Sequence, residues 1–255
     1  MNRLEEILRV KRAEIHRLRP RAAGLDRQAR SRTDFRDFRA ALQQSDEKLA
    51  IIAEVKKASP SAGLIAKSFE PVEIARNYER NGANAISVLT DSKFFKGKLQ
   101  HLADVRSAVS IPLLRKDFIL DEIQIAESAV NGADAILLIV AALEQKQLIE
   151  LLRVTATYQL DALVEVHTRN ELNRALDAGA KIVGINNRNL TTFDVDLAVT
   201  EELCRKVPDE IILISESGIK TTQDVARMKG CGVDAILVGE ALMRGEISIE
   251  QLREV

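Results

Sequence analysis

The stretch NGADAILLIV, residues 131–140, decides how the chain is read, because it does not stand alone. Similar stretches occur at NGANAISVLT (81–90), DAGAKIVGIN (177–186) and GCGVDAILVGE (230–240), so that Gly82, Gly132, Gly179 and Gly232 recur at intervals of about 50 residues. In each, a glycine suited to the left-handed turn that ends a helix precedes a short β-rich run. These are helix-to-strand junctions. Four further apolar runs lie between them, LAIIAEV (49–55), IPLLRK (111–116), LDALVEV (160–166) and EIILISE (210–216), each leading into a segment of helical pattern. Such alternation implies parallel strands joined by right-handed helical crossovers. Eight units point to an α/β fold of the (β/α)8 TIM-barrel kind. A doubly wound open sheet is the alternative. It normally carries a Gly-rich phosphate loop after its first strand, and KKASPSAG (56–63) has neither G-x-G-x-x-G nor a Walker pattern.

The chain, 1–255, reads as a single barrel domain in which residues 1–48 form an N-terminal helical extension. Leu4, Ile7, Leu8, Ile15 and Leu18 recur at helical spacing, and a second helix is expected to begin near Thr33–Asp34, with Phe35, Phe38 and Leu42 on one face. Positions 1–40 hold twelve Arg and Lys against six Asp and Glu. The acids are interspersed with the bases, and the apolar stripe favours packing over the barrel floor or beside its mouth rather than a nucleic-acid or membrane arm. A net charge of -1 likewise argues against a polyanionic partner. The longest apolar runs, such as AILLIVAAL (135–143), fall well short of the roughly 20 residues of a membrane span. The N-terminus lacks a signal peptide's apolar core, and Glu5, Glu6 and Glu14 argue against a transit peptide. Cys204 and Cys231 have neither metal-ligand nor disulfide spacing; they read as small buried hydrophobes and fit a reducing cytoplasm.

In this fold the active site is built at the C-terminal strand ends, so a polar residue arriving late on the inward parity is a candidate. The first strand supplies Glu54 and Lys56, the third Lys116, the fifth Glu165, the sixth Asn186 and the seventh Glu216. One parity rule selects all six. Lys57, Arg115 and Asp117 fall on the other parity or in loops, and read as structural. The loops after the last two strands, ESGI (216–219) and VGEALM (238–243), occupy the places where this fold commonly binds phosphate, with Gly218 and Gly239 permitting close backbone approach. Lysine titrates near ~10.4 in isolation, and a second lysine nearby is expected to lower that value toward neutrality. Two lysines and two glutamates at one mouth supply separable acid and base roles. The same lysines also suit a Schiff-base lyase, or a sugar-phosphate binder without turnover.

The motifs EVKKASPS (54–61), RKDF (115–118), VEVH (164–167), NNRNL (186–190), ISESGI (214–219) and ILVGEALM (236–243) together resemble the indole-3-glycerol-phosphate synthase family of tryptophan biosynthesis, in order, over about residues 2–244. The resemblance implies a cofactor-free, metal-free lyase acting on a small phosphorylated substrate, 1-(2-carboxyphenylamino)-1-deoxyribulose 5-phosphate. By the same resemblance Lys116 is the acid for ring closure and Glu165 the base, Lys56 assists at the substrate carboxylate or a second proton, and Glu54 and Asn186 orient these groups. Ser59 and Arg188 would hold the anthranilate carboxylate, and Phe95 and Phe118 would line its ring. Ser217, Gly218, Gly239 and Glu240 would donate backbone N–H groups to phosphate, and Glu216 joins the substrate-binding set. Ala241 departs from the serine that many members carry. A cytoplasmic monomer or homodimer is implied, open to association with other tryptophan-pathway enzymes, with no nucleic-acid or membrane partner. The pathway's sibling isomerase shares the fold, but no cysteine stands at the first strand end here to serve as its base.

Overall fold

The computed structural model describes residues 3–43, 48–66, 68–190 and 192–255. Eight strands, β1 (Ala50–Val55), β2 (Ala85–Leu89), β3 (Leu113–Lys116), β4 (Ala135–Ile139), β5 (Asp161–Val166), β6 (Ile182–Asn186), β7 (Ile212–Glu216) and β8 (Ala235–Val238), pair in parallel around a closed barrel. Closure comes from β1, which pairs with both β2 (Ile52 opposite Ala85) and β8 (Ala50 opposite Ala235). That excludes the open sheet, whose outer strands would each present an unpaired edge. The period-2 reading holds along β1. Ile52 packs with Leu114, Leu163, Ile212 and Leu237 in the barrel interior, whereas Ile51, Ala53 and Val55 join the larger core between strands and helices.

The recurring junctions behave as their glycines require, with φ of 94° at Gly82, 87° at Gly132, 85° at Gly179 and 72° at Gly232. They also carry a device that the glycine spacing does not reveal. The residue just before the strand reaches across to the backbone of its neighbour: Asn84 Oδ1 accepts from Ile51 N (2.9 Å), Asp134 Oδ2 from Leu113 N (2.9 Å) and Asp234 Oδ2 from Leu213 N (2.7 Å). A side chain thus satisfies a backbone donor at a strand start, where the ladder leaves it unpaired. The third junction has Lys181 at this place, and only its backbone carbonyl is used, by Ile212 N.

The extension departs from expectation in its middle. Helix α1 spans Arg3–Leu18 and ends in a tight turn at Arg19–Arg21, which contains Pro20. Helix α2, Ala22–Ser31, follows where no helix was expected. The next helix does not begin at Thr33–Asp34: α3 is Phe38–Leu42, capped by the Asp37 side chain on Ala40 N. Residues 32–37 are held out of helix by the buried Asp134, which accepts from Arg32 Nη2 (2.9 Å), Arg106 Nη1 (2.7 Å) and Arg36 N (3.0 Å), while Phe35 lies under the Arg32 guanidinium. Phe38 and Leu42 are fully buried with Ala50, Ile52, Leu114 and Ile212, so α3 plugs the barrel floor. Helix α1 instead borders the mouth, where Leu4 and Ile7 face Phe95 and Phe118. Both expected placements of the extension occur, on different helices; of the residues leading to its expected end at 48, 44–47 lie outside the described residues. Cys204 is buried and Cys231 half-buried. Among the described residues no helix is long and apolar enough to cross a membrane.

Candidate active site

The strand ends bring the six residues on the inward parity to one cavity. Lys116 Nζ lies 3.0 Å from Glu165 Oε2 and 2.6 Å from Glu216 Oε2, linking the ends of β3, β5 and β7. Lys56 Nζ is 2.6 Å from Glu54 Oε1, and Asn186 hydrogen-bonds Glu165. Two glycines make room for this crowding. A Cβ on Gly184 would collide with the Glu216 carboxylate, and one on Gly239 with that of Glu54. Gly239 therefore serves a buried glutamate as well as any approaching anion.

Burial would lower the Lys116 pKa, but Glu216, Glu165 and Glu54 outweigh it and raise the value above the ordinary lysine range. The expected depression by a second lysine is not found, because Lys56 is engaged by Glu54 while three carboxylates face Lys116. Burial likewise acts to raise Glu165, yet Lys116, His167 and the Asn186 hydrogen bond together hold it below the usual carboxylate value. Glu216 touches the same lysine and moves the other way. Burial, reinforced by the charges of Glu165 and Glu54, pushes it up to about 7, and its Oε1 finds no hydrogen-bond donor. The cluster thus holds a charged lysine, a carboxylate kept anionic, and a carboxyl poised to carry a proton near neutrality.

The cavity has two lobes of opposite character that share Lys56, Ser61, Lys116, Asn186 and Arg188. The larger, of about 810 Å³, is polar and is bounded by Ser217, Gly218, Gly239, Glu240, Lys220 and Arg244. Its wall is stiff. Ser217 and Gly218 both take left-handed conformations, φ 66° and 89°, and Asn187 Nδ2 donates to the carbonyls of Glu216 and Ser217 (3.0 Å each). The Asn187 Oδ1 in turn accepts from Thr200 N and Oγ1. The smaller lobe, about 130 Å³, is apolar: Leu4, Ile7, Leu137 and Ile139 meet Phe95 and Phe118, whose ring centroids are 6.2 Å apart. Over the shared rim, residues 58–64 form a small antiparallel hairpin in which Ser59 Oγ accepts from Ala62 N (3.1 Å). Arg188 Nη1 donates to Ser61 Oγ (3.2 Å), and Arg188 Nη2 stands 3.7 Å from Glu240 Oε2.

All fourteen residues singled out from sequence border one or other lobe. Sequence reasoning gave no role to His167, although it stands two residues after Glu165 in VEVH and so shares its parity; its Nε2 is 3.5 Å from Glu165 Oε1 and its Nδ1 3.3 Å from Glu171 Oε2. Nor did it single out Leu4, Ile7, Lys220 or Arg244 as lining residues, for which no motif signals.

Comparison with known proteins agrees with this geometry along nearly the whole chain. The family description "Indole-3-glycerol phosphate synthase" matches residues 4–255. The indole-3-glycerol phosphate synthase of Alkaliphilus metalliredigens is 46% identical over 254 residues, covering 99% of this chain and 97% of the relative. That of Chlorobium phaeovibrioides is 50% identical over 245 residues (95% of each chain), and that of a Roseiflexus species 48% identical over 264 residues (99% and 97%). The chain, whose eight-stranded barrel carries its lysines and glutamates at one mouth, belongs to the indole-3-glycerol phosphate synthase family.

Proposed function

We propose that the protein converts 1-(2-carboxyphenylamino)-1-deoxyribulose 5-phosphate into indole-3-glycerol phosphate, CO2 and water. The observation that carries this reading is the two-lobed cavity with Lys116 at its junction. A substrate with a phosphate at one end, an aromatic ring at the other and a ketone between them matches polar lobe, apolar lobe and junction. Backbone N–H groups of Ser217, Gly218, Gly239 and Glu240 receive the phosphate, with Lys220 and Arg244 adding positive charge. Phe95 and Phe118 enclose the ring, and Ser59 and Arg188 hold its carboxylate.

The chemistry follows from the residues at the junction. As the carboxylate-bearing ring carbon bonds to the ketone carbon, negative charge collects on the ketone oxygen, and Lys116 gives it a proton. The bond to the carboxylate then breaks; CO2 departs, leaving its electron pair to restore the ring. A second proton, from Lys56 or the Glu216 carboxyl, takes the new hydroxyl off as water while Glu165 removes a proton from the neighbouring carbon. Two protons are spent and one recovered, so each turnover takes one from solvent. Lys116 stays charged between turnovers because its carboxylate neighbours raise its pKa, and the alkoxide forming beside it is the stronger base.

The reading is of a single-domain protein working as a monomer or homodimer in the cytoplasm; among the described residues no helix is long and apolar enough to cross a membrane. The test is incubation of the purified protein with the carboxyphenylamino-ribulose phosphate, following indole fluorescence. Product is expected, with Lys116→Ala lowering kcat by about 10²–10⁴, whereas no product from the native chain would overturn the reading. A Schiff-base route needs a neutral amine, which this carboxylate setting disfavours, so borohydride with substrate should leave no reduced adduct.

A further inference from the structure

Lys11 of α1 is 2% exposed and lies among three acids, two of which, Asp91 and Asp117, belong to the barrel. Its Nζ is 2.9 Å from Asp91 Oδ2, 2.8 Å from Asp117 Oδ1 and 2.8 Å from Glu14 Oε2. Each aspartate begins a loop at the barrel mouth and holds an aromatic wall of the small lobe. Asp91, just past β2, caps the short helix Ser92–Phe95, its Oδ1 accepting from Phe94 N (2.6 Å) and Phe95 N (3.2 Å). Asp117 follows Lys116 directly; its Oδ1 accepts from Phe118 N (2.8 Å), and its Oδ2 from Thr90 Oγ1 and Arg115 Nη2. Ile7 and Leu4, one and two turns earlier on the face of α1 that carries Lys11, form part of the same lobe.

From this arrangement we infer that Lys11 is a positioning residue for substrate recognition: one buried cation ties the starts of two mouth loops to α1, and thereby fixes the separation of Phe95 from Phe118 and the apolar wall opposite them. This rests on the reaction proposed above. A compact ammonium lies against two buried carboxylates at once and offsets their charge, which neither a neutral side chain nor solvent does in a site so enclosed. Asp117 keeps a second cation in Arg115, but among the described residues Lys11 is the cation paired with Asp91. Without it, the helix carrying Phe95 gains a reason to move toward water. Lys116 itself is held by Glu165 and Glu216 from the strands, so the reacting groups depend less on this tie than the ring site does.

The experiment compares the full-length native chain with Lys11→Met and with Asp91→Asn, which retains the capping oxygen but loses the charge. Steady-state kinetics are combined with inhibition by two probes, anthranilate for the small lobe and inorganic phosphate for the large one. Expected are a KM raised about tenfold in Lys11→Met with kcat within about threefold, a matching loss of anthranilate inhibition, unchanged phosphate inhibition, and a smaller change of the same selectivity in Asp91→Asn. Unchanged KM and anthranilate inhibition in a folded variant, or equal weakening of both probes, overturns the inference. Should Lys11→Met not fold, Asp91→Asn decides on the same criteria. Failure of the native chain to turn over substrate counts against the proposed reaction, whereas native turnover with unaltered variants counts only against Lys11.

Discussion

Around Lys116 the carboxylates outnumber the cations, and the surplus falls on Glu216. Its carboxyl sits at about 7 against an ordinary value of 4.5, so the folded chain binds this proton more tightly than the unfolded chain does. By linkage, its contribution to stability is fully present below about pH 4.5 and is lost as pH rises through about 7. Glu216→Gln removes that loss. Thermal melts should therefore find the variant more stable than the native chain at pH 8, with each kcal/mol worth about 2–4 °C in a chain of this size, and the gap closing below about pH 5. A gap independent of pH would show that folding does not shift the Glu216 carboxyl. Turnover should fall in the same variant, because the removed group faces Lys116 at 2.6 Å. The identities of Glu54, Lys116, Glu165, Asn186 and Glu216 as mouth residues were legible in sequence because parity along a strand is a local property. The direction of the Lys116 shift was not. It depends on how many charges of each sign converge from strands up to 100 residues apart, which no single stretch encodes.

Among the elements, the turn after β7 shows how a polar lobe is kept open. Two successive left-handed residues, Ser217 and Gly218, are unfavourable in isolation and persist because Asn187 ties down the carbonyls of Glu216 and Ser217, on either side of the first of them. Asn187→Ala leaves the Ser217 carbonyl and Thr200 N without this partner, while the Glu216 carbonyl keeps the backbone N–H of residue 187 (2.9 Å); the cost is on the order of 1–3 kcal/mol per orphaned group. The expected kinetic result is a KM raised about tenfold with kcat nearly retained and a parallel loss of phosphate inhibition; a fall in kcat alone would assign Asn187 to the chemistry instead. The motif NNRNL pointed to its first asparagine and passed over the second, since parity turns Asn187 away from the mouth. The missed helix α2 has a related cause. Only Leu25 and Ala29 of its ten residues are buried, too short an apolar stripe to register, whereas Phe35, Phe38 and Leu42 made a better stripe across a segment that Asp134 holds extended.

At the level of the whole molecule, the extension meets the barrel at both ends, with α3 plugging the floor and α1 beside the mouth. Phe38 is completely enclosed by inward residues of several strands, so Phe38→Ala should cost about 3–5 kcal/mol. Denaturant midpoints would record the loss, and the activity of the remaining folded fraction should be near normal because the floor is remote from Lys116. Selective loss of activity without a change of midpoint would contradict this separation of roles. The barrel as such was plain from eight alternating units. Which part of the extension goes to which end was not, because it is decided by contacts such as Arg32 with Asp134, 102 residues apart.

The side-chain latches at Asn84, Asp134 and Asp234 have a consequence for how such a chain comes together. They join β1 to β2, β3 to β4 and β7 to β8, so the 50-residue period corresponds to a quarter of the barrel fastened to itself. Two of the latches reach back only 21 residues and the third 33, distances over which loop closure is cheap in entropy. Three quarters can therefore set their internal register before the ring closes. The quarter formed by β5 and β6, with Lys181 in place of the latch, has no such side-chain tie, and its register rests on backbone ladders within the pair and to the strands on either side. It carries Glu165 and Asn186, so these two hydrogen-bonded mouth residues stand on the one quarter that has no side-chain latch.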